Sequence, residues 1–197
     1  MLAKTKSARP GLIALAALLA FGAYPLSAQD RPLRQGSVEI FFGGYQMKDA
    51  RFATIYPKGG LIAGLGASAA IISNLNLYLE AKYWQRQGFL TFSKENTTLR
   101  LLPISLGVRY IVPLGFFNPY LGAGGDMYFY YEDNPIGTTA NTATGCHVLG
   151  GAYFRFARSV PVMINLRAKY SWVKAVQSDF IVQLGGLEYS AGLSFAF

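Results

Sequence analysis

Charges of both signs stand inside stretches that otherwise alternate apolar and polar: Glu39, Glu80, Lys82, Arg86, Arg109, Asp126, His147, Arg155, Arg167, Lys169 and Glu188. Packed together away from water, such groups must pair, because an unpaired buried charge is costly. Spread along an open passage, they would instead select the ions that pass. A third chemistry, nucleophilic catalysis, needs a base beside a nucleophile, and His147 is the one histidine in the chain. One histidine and one cysteine, Cys146, do not make a metal-ligand set, so neither metal nor cofactor is expected. The glycines fall inside strand-like stretches rather than between a strand and a helix, which excludes a phosphate-binding loop. A lone cysteine also excludes an internal disulfide; Cys146 is expected as a small buried apolar residue.

The elements that would position these groups are short and numerous. The 197 residues fit one domain, with 22 glycines, 13 tyrosines, 14 phenylalanines and only 14% charged residues. That mixture suits strands and turns better than helices. One long apolar run lies at the start, in "MLAKTKSARPGLIALAALLAFGAYPLSAQD". Lys4, Lys6 and Arg9 form a basic head, Gly11 to Ala23 an apolar middle, and Ser27 and Ala28 a small-residue end. This is the anatomy of a signal peptide over residues 1–28, with cleavage after Ala28. The apolar middle falls short of the roughly 20 residues a spanning helix needs. Cleavage leaves residues 29–197 with 15 basic against 10 acidic groups, a net +5. Export and this modest excess argue against nucleic acid as a partner and for anionic lipid headgroups.

From Ser37 onward, period-two alternation predicts strands near 37–47, 60–72, 76–87, 97–112, 118–131, 144–157, 161–174 and 185–197. Each is long enough to cross a bilayer at a tilt of about 45°. "SNLN", "PLGFFN" and "RSVP" read as tight turns, whereas "KDARFATIYPKG", "GFLTFSKEN", "EDNPIGTTANTA" and "AVQSDFIVQLG" read as long polar loops. In "PVMINLRAKYSWV", Val162, Ile164, Leu166, Ala168, Tyr170 and Trp172 oppose Met163, Asn165, Arg167, Lys169 and Ser171. One face is apolar throughout and the other holds charges in mid-strand. The charged face is also rich in small residues, among them Gly64, Gly66, Ser68, Ser105, Gly107, Gly122, Gly124, Gly192 and Ser194. An eight-stranded lumen is just wide enough to be filled by such a mixture. Aromatics gather toward strand ends (Tyr45, Tyr83, Tyr110, Phe116, Phe117, Tyr120, Tyr128 to Tyr131, Tyr170, Trp172, Phe195, Phe197), as in an interfacial girdle. The fold class is therefore all-β: an eight-stranded antiparallel up-and-down transmembrane β-barrel. A soluble lipocalin-like barrel is the alternative, with the apolar face turned inward.

The chain closes on "YSAGLSFAF" and contains "NPYLGAGGDMYFY" and "PISLGVRYIV". In these stretches it resembles small outer-membrane β-barrels of the OmpA/OmpX-like superfamily. The resemblance implies an outer-membrane location and a terminal signal of polar, any, Gly, any, any, hydrophobic, any, aromatic residues. Ser190, Gly192, Phe195 and Phe197 stand in those places. It further implies transient contact with the barrel assembly machinery. A chain lacking Phe197 is expected to stay in the periplasm; wild-type levels of the truncated protein in fractionated outer membranes would overturn that assignment.

Pairing of the inward charges predicts a plugged lumen and a structural or surface-interaction role carried by four long extracellular loops. The alternative is a narrow channel for anions or small hydrophobic solutes. Lys48, Arg51, Lys58, Lys94 and Lys174 lie near the long loops, where they either meet lipopolysaccharide phosphates or are simply solvated loop charges. Some small outer-membrane barrels act on lipid A acyl chains, and the deacylase family carries a serine two residues after its histidine. Here that position is Leu149, so the chain is not expected to be an enzyme.

Overall fold

The computed structural model describes residues 36–49, 54–56, 59–90, 95–156, 160–177 and 180–197. The expected signal peptide lies outside the described residues, as do Arg51, Lys58 and Lys94. The strands are β1 (Gly36–Met47), β2 (Gly60–Ile72), β3 (Leu75–Phe89), β4 (Asn96–Ile111), β5 (Phe117–Asn134), β6 (Gly137–Phe154), β7 (Val162–Gln177), β8 (Phe180–Gln183) and β9 (Gly186–Ala196). Each pairs antiparallel with its predecessor from β1 to β7; β7 then pairs with β9, and β9 with β1. Eight strands thus close a ring, and β8 is a short addition on the free end of β7. Closure removes the unpaired edges that an open sheet would expose. Gly36 and Phe197 seal the seam by exchanging backbone hydrogen bonds of 3.1 and 3.0 Å.

The faces are sorted by the period of two. Val38, Ile40, Phe42, Leu65, Leu77, Leu79, Leu106, Leu121, Leu166 and Leu193 point outward and are exposed. Glu39, Glu80, Lys82, Arg109, Asp126, Arg167, Lys169 and Glu188 point inward and are buried. This is a water-soluble barrel turned inside out: the surroundings are the apolar phase. The soluble lipocalin-like alternative, which needs its apolar face inside, is thereby excluded. Cys146 also departs from expectation. It is exposed on the outer face, because the inward phase of β6 belongs to Gly145 and His147.

The tight turns lie at the end of the barrel that holds both Gly36 and Phe197. Residues 112–116 show how the sequence makes one. Gly115 takes a positive φ of 86°, which costs glycine nothing. Asn118 braces the turn, accepting from the Leu114 amide at 3.1 Å and donating to the Gly115 carbonyl at 2.9 Å.

The opposite end differs from the sequence reading. "EDNPIGTTANTA" is not a long loop: β5 and β6, 18 residues each, stay paired up to Asn134 and Gly137. The Asn134 side chain accepts from the amides of Ile136 and Gly137 at 3.0 and 3.1 Å, which fixes a two-residue turn. Strands of that length run about 60 Å at roughly 3.3 Å per residue. Tilted about 45°, they overtop an apolar belt some 25 Å tall. The β5–β6 hairpin therefore stands clear of the belt as a paired stalk. "AVQSDFIVQLG" likewise contains strand, since β8 pairs with Lys174–Gln177.

Candidate functional site: the filled lumen and the outer rim

Inside the ring the side chains form three stacked zones. At the end carrying the chain termini, Tyr78, Ile111, Tyr120, Leu149, Tyr153, Met163 and Ala196 make an apolar and aromatic floor. At the other end Tyr45, Trp84, Leu99, Leu101, Tyr128, Val173 and Leu184 pack with Ile62 into a thicker cluster. Tyr56, from the segment between β1 and β2, joins that cluster and places its hydroxyl 3.0 Å from both Thr97 Oγ1 and Glu132 Oε1. Burial first of all, with the Glu132 charge adding to it, pushes the Tyr56 phenol far above its ordinary value. It therefore remains a hydrogen-bond donor at neutral pH.

Between the two apolar zones lie the ionisable groups, in three linked sets. Glu39 accepts from Arg109, from Tyr153 Oη at 2.8 Å, from Asn165 Nδ2 at 2.8 Å and from Ser37 Oγ at 3.1 Å. Arg109 is enclosed by the rings of Tyr78, Tyr120 and Tyr153, with centroids 5.2–5.6 Å away. The second set joins Lys82 to Glu188 at 2.9 Å and to Glu80 at 3.0 Å, and Arg167 to Glu80 and to Glu188 at 3.2 Å. Arg167 also stacks 3.7 Å above the Phe41 ring. That ring fits because Gly66 and Gly192 flank it; a Cβ on either would come within 2.9 Å of it. In the third set Lys169 Nζ donates to Asp126 at 2.7 Å and to Ser105 Oγ at 2.6 Å. His147 Nδ1 lies 3.0 Å from Asp126 Oδ1, and its Nε2 shares a hydrogen bond with the Tyr78 hydroxyl.

These contacts draw Glu39, Glu80, Lys82, Arg109, Asp126, His147, Arg167, Lys169 and Glu188 into one buried layer. Lys82, Arg109, Arg167 and Lys169 balance Glu39, Glu80, Asp126 and Glu188, so the layer carries no excess of charge while His147 is neutral. Arg86 and Arg155 are not part of it. Both are only half-buried: Arg86 sits near the far end of β3 opposite Leu99, and Arg155 follows the last residue of β6. Their phase along the strand is inward, but their height leaves them at the mouths. The partners that sequence reasoning passed over are Phe41, Tyr120, Tyr153 and Asn165. Tyr45, Tyr120, Tyr128 and Tyr130, expected in the interfacial girdle, also point into the lumen. Adjacent residues of a strand face opposite sides, so a run such as Tyr128–Tyr131 divides between lumen and lipid.

Of the residues expected at the rim, Lys48 and Lys174 are exposed. Lys48 Nζ lies 5.7 Å above the Tyr170 ring. Within the terminal segment, Ser190 faces the lumen and accepts from Arg167 Nε at 2.9 Å, and Gly192 faces Phe41. Phe195 and Phe197 point outward. Among the described residues no three His, Cys, Asp or Glu side chains are grouped as a metal would require.

Solved structures similar to this chain include outer-membrane proteins. Neisserial surface protein A superposes with a TM-score of 0.63 at 18% identity, over 83% of this chain and 97% of its own. OprG from Pseudomonas aeruginosa gives 0.68 at 15%, over 86% and 99%. Ail of Yersinia pestis, solved with the heparin analogue sucrose octasulfate, gives 0.51 at 12%, over 82% and 99%. The fold is that of the small outer-membrane barrels. No protein-family model matches the chain, and no curated protein matches its sequence. The outward apolar belt is the surface such a barrel turns to lipid, and the paired charges are buried inside the ring.

Proposed function

We propose that the chain is a closed outer-membrane barrel, with a structural and surface-interaction role rather than a conducting or catalytic one. The observation that supports this is the continuity of packing through the lumen. A charge-balanced, mutually paired layer lies between two apolar zones, and no net excess is left to draw anions through. His147 is enclosed between Tyr78 and Asp126, out of reach of acyl chains outside the wall, which supports a non-enzymatic reading. Interaction then falls to what projects outward: the β5–β6 stalk and the β7–β8 extension. Lys48 and Lys174 at the rim are available to lipopolysaccharide phosphates. Ser190, Gly192, Phe195 and Phe197 serve assembly through the barrel-insertion machinery, and residues 1–28 direct export.

Conductance tests the closed lumen. The mature chain, residues 29–197, refolded into a planar bilayer with insertion verified by protease protection, is expected to stay silent. Stable discrete current steps would reverse the reading in favour of a narrow channel.

A further inference from the structure

On the outer wall, where the apolar belt gives way to polar residues, a groove of about 410 Å³ runs across β3 to β6. Leu102 and Phe129, cross-strand partners, form its apolar lower part. One step higher, Arg100 pairs across the sheet with Tyr131, its guanidinium 5.7 Å from the ring centroid. Tyr83 lines the β3 side, its hydroxyl tied to Gln85 at 2.6 Å. Among the described residues Arg100 makes no ion pair, unlike the cations of the central lumen layer.

An arginine on the lipid side of a strand is expensive unless it sits at headgroup level and meets an anion. Arg100 sits at that level, where lipid phosphates are concentrated, and its planar fork suits phosphate oxygens. The rings of Tyr83, Phe129 and Tyr131 and the side chain of Leu102 offer apolar contact beside and below it. We infer that this groove is a binding site for a phosphorylated outer-leaflet glycolipid, with Arg100 holding the phosphate of lipid A and Leu102 and Phe129 contacting the upper acyl chain. Lys48 above Tyr170 repeats the pairing of cation and tyrosine on another part of the rim. The site rests on the outer-membrane reading of the barrel and gives it a specific lipid contact.

The test is native mass spectrometry of the full barrel in detergent, titrated with bisphosphorylated lipid A, fully dephosphorylated lipid A or phosphatidylglycerol. Arg100→Gln is expected to weaken retention of bisphosphorylated lipid A about tenfold, the scale of one charge-assisted hydrogen bond. It should leave the dephosphorylated form unaffected. Equal retention by wild type and Arg100→Gln would overturn the site. So would equal retention of the dephosphorylated lipid, or equal affinity for phosphatidylglycerol, which would reduce the contact to general anion attraction. Heat-modifiable mobility and insertion into vesicles are measured on the same preparations. A wild type that fails to insert removes the outer-membrane reading and the site together, whereas insertion with unchanged lipid binding removes only the site.

Discussion

Glu39→Ala is expected to destabilise the barrel by about 3–5 kcal/mol, the range for removing one partner of a buried ion pair. Glu39 and Arg109 are each about 2% exposed or less, so neither reaches water when its partner is lost. The change also strands the Tyr153 hydroxyl and the Asn165 amide, which both donate to Glu39. The tyrosine rings around Arg109 offer it cation–π attraction, worth about 2 kcal/mol when desolvated, which does not replace a carboxylate. Urea unfolding in phospholipid vesicles gives the free energy, with an unchanged m-value confirming that the same surface unfolds. Combining Glu39→Ala with Arg109→Met should recover only the part of the loss that comes from the unpaired guanidinium, because the Tyr153 and Asn165 donors stay unpaired and the space of the glutamate stays empty. A single-variant loss below about 1 kcal/mol, the scale of an exposed pair, would mean that Arg109 reaches water and that the lumen is wetter than its packing indicates.

Leu79→Arg should cost about 2–4 kcal/mol, the penalty for a cation at the bilayer midplane. Leu79 is the fifth residue of β3 and faces outward in the apolar belt, flanked by Ala67 on β2 and Leu106 on β4. Gln85→Arg lies on the same face near the rim and should cost about 0–1 kcal/mol. The pair separates lipid from water as the surrounding medium. In water both sites are exposed, and an arginine at either would be nearly neutral. Equal costs at the two depths, measured by the same unfolding experiment, would contradict the belt.

Most of the strand layout was legible because two different media press on the two faces of each strand. In β3 and β7 that difference writes itself as alternation, so Leu79 against Glu80 and Leu166 against Arg167 fix the faces without further information. The signal ends where the difference ends. Above the belt, "NPIGTTANTA" has water on both sides; nothing selects apolar residues at every second position, and the paired upper part of β5 and β6 reads as loop. Height within the lumen was equally hidden. Alternation assigns Arg86 and Arg155 the same inward phase as Lys82 and Arg167, but only the register shows that they stand at the openings. Arg100 was concealed for the same reason in reverse: its outward phase is plain, and its value depends on lying at headgroup level beside Tyr131. Tyr120 was missed as a lumen residue because residue type suggests a girdle, whereas its ring lies 4.9 Å from that of Tyr153 inside the wall.

The seam between β1 and β9 has a consequence in time. The other neighbours in the ring join segments that follow one another or are separated only by β8, so they can meet soon after synthesis or release. β1 must wait for the strand most distant from it in sequence. Such a long-range closure carries most of the loop entropy of folding and makes the search slow. During that interval Gly36–Met47 presents an unpaired row of amides and carbonyls, open to the same edge of another chain. A carrier that shields this edge until β9 arrives would suppress edge-to-edge association of incomplete barrels, over and above any cover given to the apolar surface.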